Sequence, residues 1–187
     1  MQQIKWEDSQ AACADLIDRA QPYDEEFFIG SCSNPGFYVF VYNGTVLPCN
    51  PWEDPRPRII YVGHNGEDSL RHWQNNTAVS TVRRSLAALL ANILQLMPVP
   101  GSDDPNDIDR FSNYKLDEVS EQVLTEWMKE HISVAFWEDA NENWYQALLD
   151  CAAPMFVFQN NPNNSFGAQI KSYRAQMTAR AELAAGK

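Results

Sequence analysis

At 187 residues, 44% hydrophobic and 21% charged, the chain is sized for one domain with a genuine core, and folding at this length buries roughly 70% of the surface an unfolded chain exposes. Its 25 acidic residues against 14 basic ones give a net charge of −11, which disfavours long-range attraction to nucleic acid but leaves room for a local basic face that holds phosphate at short range. Cys13, Cys32, Cys49 and Cys151 form no C-x-x-C pair, which speaks against a zinc site or a disulfide framework, and no run approaches the ~20 apolar residues of a spanning helix; free thiols in a soluble cytoplasmic protein are expected.

In chain order, residues 5–20 place Trp6, Cys13, Leu16 and Ile17 near helical spacing and predict an amphipathic opening helix. The run 36–42, "GFYVFVY", then reads as a strand, because β-branched and aromatic residues dominate it. Four prolines in "TVLPCNPWEDPRPR" forbid regular structure over most of that stretch, so a long excursion joins this strand to a second one at 58–64. "VSTVRRSLAALLANILQLM" is an apolar-periodic helix with Ser80 or Thr81 as N-cap, stopped by "PVPGSDDPND". "LDEVSEQVLTEWMKEHI" reads as another helix, with Val119, Val123, Leu124, Trp127 and Met128 on one side and Asp117 or Ser120 near its start. A third strand at 133–138, a short helix in "ENWYQALLDCAA" ended by Pro154, and a closing helix over 165–184 complete the chain.

The charge is unevenly spread. Residues 1–54 carry −7 and residues 101–150 carry −10, whereas 55–100 and 151–187 carry +3 each. Arginines therefore gather where the second strand and its tyrosine lie. Arg83 and Arg84 can either face a phosphate or pair with the acidic helix at 117–130, and surface pairing is the expectation for at least one of them. His64 reads as a surface or structural residue at a strand end.

"GFY" at 36–38 and "YVG" at 61–63 resemble the two motifs of the GIY-YIG endonuclease family. The segments "LRHW", "STVRRSLAALL", "SNYKLDEVSEQVLTEWMKE" and "FQNNPNNSFGAQIKSYR" extend that resemblance over roughly residues 35–180. It implies an α/β (α+β) fold: a small three-stranded antiparallel sheet, here 36–42, 58–64 and 133–138, flanked by helices. The expected organisation is a single domain over 1–187, with a core at about 35–160 and the helices 5–20 and 165–184 as additions. The resemblance also implies metal-dependent phosphodiester hydrolysis, with Tyr38, Tyr61, Arg71 and His72 matching the two tyrosines and the arginine region. A phenol with pKa ~10 needs neighbouring positive charge to act near pH 7, and arginine and metal stabilise charge on the phosphoryl oxygens.

The second half departs from that pattern. Tyr145, or Gln146 if the register slips by one, stands where the family carries its metal-binding glutamate, and Val157 stands where it carries an asparagine. Neither a phenol nor an isopropyl group supplies an anionic oxygen ligand or an amide. Glu142, three residues before Tyr145 and near the same helix face, is the one candidate to restore magnesium binding. The expectation is a catalytically degenerate GIY-YIG-fold protein with Tyr38, Tyr61, Arg71 and His72 vestigial and no cofactor. It would act by binding a basic protein, such as a nuclease toxin that it neutralises as an immunity or inhibitor protein. Trp52, Trp73, Trp144, Asp103, Asp104 and Asp107 are the candidate partner surface, since aromatic anchors and complementary charge favour interfaces. The alternatives are an active magnesium-dependent endonuclease and a phosphate- or nucleic-acid-binding regulatory module. Fold alone does not separate them.

Overall fold

A computed structural model describes residues 4–32, 34–43, 58–64, 67–138, 142–152 and 167–186. These described residues fall into two units, the first drawn from Met1–Thr45, Trp52–Leu70 and Lys129–Ser165 and the second from Val46–Pro51, Arg71–Met128 and Phe166–Lys187.

In the first unit, α1 (Trp6–Asp18) leads into β1 (Gln21–Pro22), α2 (Glu25–Cys32), β2 (Phe37–Tyr42) and β3 (Arg58–His64). Two later elements, β6 (Ile132–Trp137) and α5 (Glu142–Ala152), complete the unit. The sheet is antiparallel, in the order β1-β6-β2-β3. Three of its strands lie within a residue of the sequence expectation; the fourth, β1, is two residues long and was not foreseen. A strand of two residues carries no periodicity to read.

All six residues of β2 are buried, as befits a central strand covered on both faces. Its alternation sends Phe37, Val39 and Val41 to one face, where they pack with Ile59 and Val62 of β3, Cys13 and Leu16 of α1, and Leu148, Cys151 and Ala152 of α5. Tyr38 and Phe40 go to the other face. Between Phe40 and Val41 the register with β3 shifts: Phe40 pairs with Tyr61 and Val41 with Ile59, so Ile60 is taken up in a bulge.

The second unit contains α3 (Thr81–Leu90), the short hairpin of β4 (Pro98–Val99) and β5 (Lys115–Leu116), α4 (Glu118–His131) as far as Met128, and α6 (Gly167–Ala184). Ser80 caps α3 as the sequence predicted, its hydroxyl accepting the Arg83 N–H at 3.1 Å. The helix assignment ends at Leu90, short of the expected Met97, but Leu94 N–H still donates to Leu90 O. The chain then closes with Leu96 N–H on Ala91 O and Gln95 at φ 55°. That left-handed residue is a Schellman-type stop made without glycine. From Val82 to Leu90 every residue of α3 is buried, so it is the central helix of its unit.

The helix α4 corrects the sequence reading. Asp117 caps it, accepting the Ser120 N–H at 2.8 Å, but its buried stripe is Ser120, Glu121, Leu124, Thr125 and Met128. Val119, 69% exposed, and Val123 lie outside that stripe. Polar residues occupy inward positions because groups outside the helix meet them: the Ser120 hydroxyl accepts the Met97 N–H, the Thr125 hydroxyl donates to Asn75 Oδ1, and Glu121 accepts from Thr77 and Arg83.

Candidate functional site

The motif tyrosines meet in the first unit. Their rings lie 5.9 Å apart between centroids, and Phe40 stacks obliquely on both, at 5.3 Å from Tyr38 and 5.4 Å from Tyr61. The glycine of "YVG" has a direct steric reason: Gly63 pairs with Tyr38 across the ladder, and a Cβ on it would stand 2.6 Å from the Tyr38 phenol carbon and oxygen. The ring of one motif lies over the bare Cα of the other. Gly36, at φ 149°, approaches the Trp137 carbonyl so closely that no side chain fits.

Tyr38 is withdrawn from water. It is 1% exposed, covered by Phe28 of α2 at 5.7 Å and bordered by Phe136 of β6 at 6.1 Å, whereas Tyr61 is half-buried. No helical period marks α2, since Phe27, Phe28 and Ile29 are consecutive and Phe28 alone of these three is buried. Its legible signals were Asp24, whose carboxylate accepts the Phe27 N–H at 2.8 Å, and the acids Glu25 and Glu26 of the first turn.

On the opposite face of the sheet, α5 brings Tyr145 against Phe37 and stacks it on His64, with ring centroids 4.0 Å apart. The residue at the glutamate position thus faces away from Tyr38. Glu142 is exposed at the start of this same helix. Trp144, half-buried, packs on Trp137 at 5.0 Å. Among the described residues no three His, Cys, Asp or Glu side chains stand together as a cation site. Val157 and Trp52 lie outside the described residues.

Arg71 and His72 belong to the second unit, on the 3-10 turn Glu67–His72. Arg71 is exposed; His72 is 3% exposed, and its Nδ1 shares a 2.8 Å hydrogen bond with the Ser80 hydroxyl. Burial, reinforced by the positive charges of Arg71 and Arg83, lowers the His72 pKa to about 3, so the ring is neutral at pH 7. Next to it lies a network that the sequence did not reveal as internal. Arg83, fully buried, donates from Nη2 to Glu121 Oε2 at 2.7 Å and from Nη1 to the His72 carbonyl at 3.4 Å. Glu121 also accepts the Thr77 N–H at 2.6 Å, the Thr77 hydroxyl at 2.8 Å and the Leu116 N–H at 3.2 Å. Burial pushes the Arg83 pKa down and the Glu121 carboxylate opposes that. Arg84 is buried too, donating to the carbonyls of Thr77 and Ala78 and to the Thr81 hydroxyl. The expected pairing of this arginine pair with the acidic helix is present in Arg83, but in the interior rather than at the surface.

Two more surface expectations divide. Trp73 is 6% exposed, which makes its indole part of the core and removes it from the partner surface. Asp103 and Asp104 are exposed and Asp107 is half-buried, while the carboxylates of Asp104 and Asp107 accept the N–H groups of Asn106 and Asp109 and so shape their own loop.

A family model described as the GIY-YIG catalytic domain matches residues 49–176. The chain belongs to the GIY-YIG family. The match spans the positions of Tyr61, Arg71 and His72 and begins downstream of Tyr38. No curated protein and no solved structure matches the chain. No helix among the described residues is long and apolar enough to cross a membrane.

Proposed function

We propose that this GIY-YIG-fold protein is catalytically degenerate and works in the cytoplasm by binding a basic protein, as an immunity or inhibitor protein against a nucleic-acid-targeting toxin. The observation that carries the reading is the burial of Tyr38: with α2 packed over it the residue is 1% exposed, which shuts its phenol off from a water at a scissile phosphate. A buried, neutral His72 and a Tyr145 turned to the far side of the sheet favour the same conclusion. The choice of partner rests on charge. The −10 carried by residues 101–150 complements a basic nuclease cleft, and complementary charge speeds encounter and selects the partner.

Two measurements test this. Incubated with plasmid or RNA and magnesium or manganese, the purified protein is expected to cut no faster than its Tyr38→Phe variant; robust cutting that Glu142→Gln abolishes would establish the active endonuclease instead. Replacing Asp103, Asp104 and Asp107 together by Asn removes three charges yet keeps the side-chain oxygens that the loop uses. This triple variant is expected to associate with a basic partner roughly three- to tenfold more slowly at low salt. Unchanged association, with a gain in nucleic-acid affinity, would favour the phosphate-binding module.

A further inference from the structure

We propose that α2 is a displaceable cover over the tyrosine face of the sheet, latched by Phe28 and opened by local unfolding of the helix. The device goes beyond the partner reading and stands whether the uncovered face binds or catalyses. Phe28 packs on Phe136 at 5.2 Å and on Tyr38 at 5.7 Å, and it is 1% exposed. Its helix neighbours Glu25, Glu26, Phe27, Ile29 and Gly30 are all exposed. Phe27 also meets Phe136 edge-on at 5.6 Å but stays exposed, so within Glu25–Gly30 Phe28 alone is buried in the fastening.

The helix is also weak in itself. It is eight residues long with Gly30 inside it, and glycine in a helix interior favours the unfolded chain. Beside its seam with the sheet opens a cleft of about 510 Å³, lined by Phe27 and Ser31 of α2, by Gln21 of β1 and by Phe136, Trp137 and Glu138. On that flank the ladder has run out. Asn43 N–H bonds to His131 O, and counting along the register from there turns the backbone groups of Val134 and Phe136 away from β2. Val134 meets Gln21 of β1, and among the described residues no strand faces Phe136. Elements with few buried apolar contacts open below the free energy of global unfolding.

Opening of α2 exposes Tyr38 without dismantling the strands that carry it, and this separates the proposal from ordinary unfolding. Nitration of the full chain by tetranitromethane, located by mass spectrometry, reads exposure of the Tyr38 phenol, and amide exchange at Val39 and Val41 reads opening of the sheet. In the native protein Tyr38 is expected to react through an opening more frequent than that of the β2 amides. Phe28→Ala should raise the Tyr38 rate roughly tenfold or more while β2 exchange changes far less. Gly30→Ala adds a Cβ that meets nothing within 4 Å and strengthens the helix, so it should slow Tyr38 nitration about fourfold. This second variant carries the test if Phe28→Ala does not fold. The proposal is overturned if Tyr38 nitration follows β2 exchange in every protein measured, or if Gly30→Ala leaves the Tyr38 rate unchanged.

Discussion

The two units are held by different physics. Around β2 the interior is built from shape: aromatic rings and aliphatic side chains fill both faces of the sheet, and a glycine makes room for a tyrosine. Around α3 an apolar interior that includes Leu86, Leu90 and Leu124 also encloses charge and hydrogen bonds, with Arg83, Glu121, Thr77, Ser80 and His72 all buried. Shape tolerates graded losses, since neighbouring side chains relax into vacated space. A buried ion pair does not: removing one partner strands the other in a medium that cannot solvate it.

The sharpest way to break the comparison is to strand Arg83. Glu121→Ala is expected to destabilise the protein by about 3–5 kcal/mol in denaturant titrations, with amides of α3 losing protection. Arg83→Met should cost less, because the Glu121 carboxylate keeps the two N–H donors and the hydroxyl that remain. Equal losses from the two substitutions would mean that the pair, and not the carboxylate hub, holds the unit.

Acid should find the same unit. His72 titrates at about 3 in the folded chain against 6.5 for the free residue, so below pH 6.5 the unfolded chain binds a proton that the folded one refuses. Its contribution is complete above pH 6.5 and is lost as pH falls toward 3, at about 1.4 kcal/mol per pH unit within that window. A His72→Gln variant should flatten that part of the stability profile; an unchanged slope would assign the acid sensitivity to other groups.

The smallest expected effect belongs to the shape-built unit. Gly63→Ala places a methyl 2.6 Å from the Tyr38 phenol and should cost about 1–3 kcal/mol, the usual range for overpacking. Combined with Tyr38→Ala, which removes the obstructing ring, Gly63→Ala should add almost nothing further to the loss. A full additive cost in the double variant would show that something other than the ring collision opposes the methyl.

The same division explains what could be read from the chain. "FYVFVY", "RIIYVGH" and "ISVAFW" announced their strands because apolar and β-branched residues fill them, and the serine before "TVRRS" announced a cap. Where polar groups are interior the pattern misleads: of the side expected to face inward on α4, Leu124 and Met128 are buried, but Val119 and Val123 lie off the inward line, whose other members are Ser120, Glu121 and Thr125. Trp73 followed the same logic in reverse, as an aromatic that looked free beside a motif and is core. For the site, the tyrosine pair was legible from two short motifs. Its cover was not, because a helix whose stretch Glu25–Gly30 buries one residue has no period to detect.

The bulge at Ile60 carries a consequence for how β3 can vary in length. Ile59 and Tyr61 are two positions apart, which in a regular strand would set both on one side; they face opposite sides because Ile60 is the spare link absorbed between Phe40 and Val41. The strand thus holds two reading frames spliced at one residue. Losing Ile60 would leave the frames in phase, with Ile59 still toward α1 and α5 and Tyr61 still beside Tyr38. Gaining a residue after Tyr61 would throw them out of phase and carry Gly63 from under the Tyr38 ring. The segment is therefore forgiving of shortening at one point and intolerant of lengthening beyond it.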